Sequence, residues 1–77
     1  MADKHLDCKG LRCPLPIVKV SQAMNDLAEG QTLLVEADDP VFGPDIEAWV
    51  EITGNELVEY HDGPPQRALL RKKEKAS

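Results

Sequence analysis

The chain reads as an α/β (α+β) two-layer sandwich, β-α-β-α-β-β, with two helices on one face of a four-stranded mixed sheet. Three observations predict it. Short runs rich in apolar residues lie at 5–8, 32–37, 56–60 and 66–71, with the strand lengths and alternation that suit a sheet. Two longer runs between them repeat their apolar residues at helical spacing. Glycine, proline and aspartate separate the runs.

His5-Leu6-Asp7-Cys8 is the first strand, with Leu6 and Cys8 on the face toward the core. Residues 14 to about 29 form the first helix. Ile17, Val20, Met24 and Leu27 make its inner stripe, Ala23 and Ala28 widen it, and Gly30 is the expected stop. Thr32–Ala37 is the second strand, with Leu33, Val35 and Ala37 turned to the helices and Leu34 to the other face. Strand, helix and strand in succession imply a parallel crossover. Asp38-Asp39-Pro40 is read as a turn and helix cap rather than as an acid/base or magnesium pair. The second helix starts near Asp39 or at Pro44-Asp45, buries Ile46, Trp49 and Val50, and ends at Gly54. In the third strand Val58 and Tyr60 share one face and Leu57 takes the other. A turn at 61–65 leads into the fourth strand, antiparallel to the third. Residues 72–77 read as a frayed tail.

With 77 residues the chain is expected to be one domain, 1–77, with a modest core. Two cysteines do not make a disulfide scaffold, and free thiols point to a reducing compartment. No signal peptide or membrane-spanning run is visible, so a cytoplasmic protein is expected. The net charge of −5 is segregated: eleven acidic side chains and no Lys or Arg lie between Asp26 and Pro65. That distribution excludes general nucleic-acid binding, which needs a basic surface, and suits a protein partner with a basic patch. Neither a Walker pattern nor a dinucleotide-binding glycine fingerprint is present.

The chemistry concentrates in Gly10-Leu11-Arg12-Cys13-Pro14-Leu15-Pro16. Proline suits the first turn of a helix, so Pro14 and Pro16 place Cys13 at or next to the N-cap and stiffen the backbone beneath it. The positive end of a helix favours an anion, which predicts a lowered thiol pKa. Lys9 and Arg12 add cations nearby, and Gly10 gives an unhindered approach. Cys8 shares the core face of its strand and reads as structural first, with a second-thiol role as the lesser reading. Two sulfurs spaced C-x4-C do not complete a zinc site, and nothing in the positions of His5 and His61 adds to them. No metal and no cofactor are expected.

These residues resemble the TusA (SirA-like) family of small sulfur carriers. Leu6-Asp7 followed by Gly10-Leu11-Arg12-Cys13-Pro14-Leu15-Pro16 is similar to the family's opening signature, with its Cys-Pro-x-Pro core. Gly30–Val35, Asp38-Asp39-Pro40, Asp45-Ile46, Gly54–Leu57 and Leu70–Lys72 extend the likeness over most of the chain. Val50 stands where many relatives carry a further cysteine, and Asn55 where many carry histidine. The resemblance implies a sulfurtransferase that accepts sulfane sulfur as a persulfide on Cys13 and passes it to a partner's cysteine. The signature assigns no chemistry to Lys9 and Arg12; as cations beside Cys13 they are expected to give electrostatic support and docking. The implied partners are a donor, of cysteine desulfurase or rhodanese-like type, and an acceptor with a reactive cysteine, with no direct nucleic acid and no membrane. The relay would serve tRNA thiolation, cofactor sulfur supply or sulfur oxidation. Two other readings stay open: a non-catalytic interaction or regulatory module using the acidic helix face, and a dithiol redox protein using Cys8 with Cys13.

Overall fold

The structure, a computed structural model, describes residues 2–73. Its elements are β1 (Lys4–Cys8), α1 (Leu15–Asn25), β2 (Thr32–Ala37), α2 (Phe42–Thr53), β3 (Glu56–His61) and β4 (Gln66–Arg71). The four strands form one sheet in the order β1-β2-β4-β3. β1 and β2 run parallel, joined through α1, and β4 is antiparallel to both β2 and β3. The α/β sandwich with its mixed sheet is therefore as the periodicity predicts.

Alternation along the strands builds the core. Leu6 and Cys8 of β1, Leu33, Val35 and Ala37 of β2, and Ala68 and Leu70 of β4 face the helices. The helices answer with Val20, Ala23, Met24, Phe42, Ile46 and Trp49. Trp49 also donates its indole Nε1–H to Ser21 Oγ at 2.9 Å, tying α2 to α1 and satisfying a donor that burial would otherwise strand. Phe42, the largest of the fully buried side chains, lies one position into α2.

Three boundaries differ from expectation, each for a physical reason. First, α1 ends at Asn25, short of Gly30. Asp26 and Leu27 donate their N–H groups to carbonyls three residues back, and Lys72 Nζ takes the carbonyls of Met24 (2.9 Å) and Leu27 (2.7 Å). A cation at a helix C-terminus satisfies orphan carbonyls and opposes the negative end of the dipole. Gly30, at φ +83°, turns the chain into β2 instead.

Second, β3 contains an irregularity between Leu57 and Glu59. Leu57 pairs with Leu70, Glu59 with Leu69 and Tyr60 with Ala68, so Val58 is an extra residue. The bulge resets the alternation. Leu57 and Tyr60, three positions apart, both pack on the core, and the expected pairing of Val58 with Tyr60 on one face is overturned.

Third, the expected tail from Lys72 is anchored where it is described. Lys72 donates its N–H to the Gln31 carbonyl and accepts from Gly30 N–H, while Lys73 N–H bonds Asn55 Oδ1. Residues 74–77 of that expected tail lie outside the described residues.

Candidate functional site

Cys13 sits in the loop from β1 to α1, at the end of the sheet where β1 and β2 finish side by side. The pairing of Cys8 with Ala37 brings the next residues of both strands together. The Asp38-Asp39 pair, which follows β2, therefore meets the Lys9–Cys13 loop, which follows β1. Asp38 Oδ1 accepts the N–H of Gly10 (3.0 Å) and a guanidinium nitrogen of Arg12 (3.0 Å). Asp39 Oδ2 accepts the N–H of Cys13 at 2.6 Å. Gly10 is at φ +85°, a backbone state that needs glycine in this turn. Leu11 N–H closes the turn on Cys8 O, and Leu15 N–H bonds Arg12 O.

The prolines take the places expected of them. Pro14 is the N-cap of α1 and its carbonyl accepts Val18 N–H; Pro16 is buried in the first turn. Cys13, next to the N-cap, is exposed, whereas Cys8 is fully buried, and both thiols are free. Burial raises the Cys8 pKa, as a small apolar side chain in the core should show.

The expected lowering of the Cys13 pKa is overturned. Its thiol is raised, first by the Asp45 carboxylate, which favours the protonated form, then by desolvation and the negative charges of Asp45 and Asp39. The sequence sets two cations near this helix end, and both are directed elsewhere. Arg12 is spent on Asp38 and on the Leu11 carbonyl (3.1 Å), and holds the Asp38 carboxyl low together with Gly10 N–H. Lys9 is exposed; its N–H bonds Asp7 Oδ1 (2.9 Å) and its charge is felt by Glu36. The amide that would face an anion at Cys13 is held by Asp39.

Cys13, Pro14, Pro16, Gly10 and Arg12 thus lie together, as their closeness in sequence implies, and are joined by three carboxylates that the motif does not contain. The signal for Asp38 and Asp39 was present: a parallel β1–β2 pair must bring their following loops together. Asp45 gave none, since its approach depends on how α2 lies over the sheet. Leu15, Val18 and Val41, at 48%, 43% and 45% exposure, line the same end of the molecule as apolar surface. Among the described residues no group of three or more His, Cys, Asp or Glu is arranged to hold a metal ion. No described helix is long and apolar enough to cross a membrane.

An exposed thiol on a braced loop suits exchange with a sulfur on another macromolecule. The comparisons with known proteins agree. Residues 4–72 match the family model described as Sulfurtransferase TusA. YrkI of Bacillus subtilis is 48% identical over 61 residues, which span 79% of this chain and 81% of that protein. The sulfur carrier protein TusA of Allochromatium vinosum is 46% identical over 57 residues, 74% of this chain and 75% of that one. The crystal structure of a SirA-like protein from Desulfitobacterium hafniense superposes with a TM-score of 0.78 at 23% identity, covering 92% of this chain and 99% of the other, a likeness of fold. The family match runs from the first strand through the last, the relatives share nearly half their aligned residues with it, and the fold is that of a SirA-like protein: the chain belongs to the TusA family of sulfur carriers.

Proposed function

We propose that Cys13 is the residue that bears the sulfur, and that the chain acts as a sulfurtransferase between two partner proteins. The Cys13 thiolate attacks the outer sulfur of a donor persulfide. A sulfur–sulfur bond forms at Cys13, the donor's sulfur–sulfur bond breaks, and the donor leaves as a thiolate that takes up a proton. The onward step repeats the exchange: an acceptor thiolate attacks the terminal sulfur, and Cys13 is the leaving group. Sulfur moves at constant total oxidation state, so the cycle needs no external oxidant, metal or cofactor. The observation that carries this reading is the contrast between the two thiols, Cys13 exposed on a braced loop and Cys8 at 0% exposure in the core.

A persulfide donor of cysteine desulfurase or rhodanese-like type and an acceptor with a reactive cysteine fit this chemistry, in the reducing cytoplasm where free thiols persist. Because the substrate is another protein's sulfur, the apolar surface of Leu15, Val18 and Val41 is where a partner would seat while the two sulfurs meet. The chain works in this reading as a single domain.

Intact mass after incubation with a sulfane-sulfur donor tests it. Wild type and Cys8→Ser gain one sulfur that reductant removes, and Cys13→Ser gains none. A Cys13→Ser variant that still gains sulfur, or still supports transfer, would sink the assignment and favour the interaction module. The exposed Glu47 and Glu51, which make no ion pair among the described residues, would then be its surface.

A further inference from the structure

Asp39 is the one buried charged residue in the described chain, at 4% exposure. Such a group is costly to bury unless it is hydrogen-bonded. Here each carboxylate oxygen accepts a backbone N–H, one from each side of the site. Oδ2 accepts Cys13 N–H at 2.6 Å and Oδ1 accepts Val41 N–H at 3.1 Å. Its own carbonyl accepts Phe42 N–H at 3.0 Å and Gln66 Nε2–H at 2.6 Å. Gln66 in turn has its Oε1 filled by the Tyr60 hydroxyl at 2.6 Å. The amide is thus oriented from both ends, its oxygen toward a donor and its nitrogen toward an acceptor. A Cβ on Gly43 would stand 2.8 Å from the Tyr60 hydroxyl, so α2 also closes over this chain of bonds.

We infer that Asp39 is the positioning residue for Cys13, and that Gln66 and Tyr60 on the β3–β4 hairpin hold Asp39 in place from the far side of the loop. The inference rests on Cys13 as the sulfur-bearing residue. Its physical content is a trade. The Cys13 amide could have faced a sulfur anion; Asp39 takes that donor and fixes the backbone under the thiol instead. One loop then presents the sulfur in one place to two different partners. Asparagine would not substitute well, because a carboxylate offers two acceptor oxygens to two N–H donors and a carboxamide offers one.

Three variants on a Cys8→Ser background test this: Asp39→Asn, Gln66→Met and Tyr60→Phe. The readouts are amide hydrogen exchange at Cys13 and Val41, the pH profile of Cys13 alkylation by iodoacetamide, and sulfur uptake from inorganic polysulfide. The charges that act on the thiol are Asp39 after β2 and Asp45 on α2, while Arg12 on its own loop is paired with Asp38. Asp39→Asn is expected to speed Cys13 exchange by about ten-fold or more, the loss of one charge-assisted hydrogen bond. It also moves the alkylation profile to lower pH, since a negative charge has gone. Gln66→Met and Tyr60→Phe, which do not touch Cys13, speed exchange at Cys13 and Val41 while the β2 and β4 amides stay protected. Unchanged Cys13 exchange in folded Asp39→Asn overturns the inference. If Asp39→Asn does not fold, unchanged Cys13 and Val41 exchange in Gln66→Met and Tyr60→Phe overturns it equally. Exchange and alkylation do not involve sulfur transfer. A wild type that takes up no sulfur would therefore defeat the reading of Cys13 as carrier without touching this one.

Discussion

At Cys13, proximity to a helix end matters less than which charges the fold finally delivers. Local sequence offered Lys9 and Arg12; the structure delivers Asp45 and Asp39 to the sulfur and sends Arg12 to Asp38. A carboxylate that accepts the thiol proton stabilises the protonated form and repels the thiolate, so it raises the pKa. Asp45→Asn is expected to let the thiol ionise at lower pH and react faster with iodoacetamide at neutral pH. Alkylation rates measured against pH check the direction, and a profile shifted upward would refute the role given to Asp45. In the proposed relay, a partner's cation set against Asp45 would lower the thiol pKa again.

Among the elements, the contacts that differ from expectation are the ones made across long sequence separations. α1 loses its last turn because Lys72, 48 residues from Met24 and 45 from Leu27, supplies the cap that Gly30 was expected to provide. Lys72→Met should destabilise the domain by about 1–2 kcal/mol, the scale of a half-buried charged group bonded to two carbonyls. A urea titration at constant slope reads that change. β3 offers a different test. Because Val58 is extra to the pairing, deleting it leaves Leu57, Glu59 and Tyr60 opposite Leu70, Leu69 and Ala68 in unbroken order. That variant should fold, with a thermal midpoint within about 8 °C of wild type. Deleting Leu69 from β4 instead turns one side of the sheet over and should abolish cooperative unfolding.

For the whole molecule, the sequence made legible what depends on local periodicity. The strands, both helices and the core positions of β2 followed from alternation and helical spacing, and the parallel crossover from element order. The Cys13 loop followed from its prolines. The strand order and the company of the thiol were not legible. β4 lies between β2 and β3, a choice that no run of residues announces. That placement also rearranges the charges. Glu36 meets Arg67 at 3.0 Å and His5 at 2.9 Å, and Glu56 meets Arg71 at 3.1 Å, so acids of the middle segment are answered by the basic end of the chain. The segregated charge of the sequence becomes mixed on the sheet, while Glu47 and Glu51 on α2 are among the acids that make no ion pair among the described residues. Arg67 and His5 together hold the Glu36 carboxyl below the usual range. A lowered folded-state pKa means that this contribution is present at neutral pH and is lost as the medium is acidified through that lowered value.

Among the described residues the sheet has two rims, β1 and β3, each with a row of backbone donors and acceptors that no other described strand pairs. Such a row invites a second chain to continue the ladder, which is how sheets aggregate. β1 is only five residues long and carries Lys4 and Asp7. β3 is longer, and its protection is the one residue that does not fit. A neighbour laid along it would lose step at Val58, between the charges of Glu56 and Glu59. The deletion that straightens this rim is therefore expected to leave a protein that survives heating yet sticks to itself. On this argument the misfit at Val58 serves colloidal stability, a property that folding stability alone does not measure.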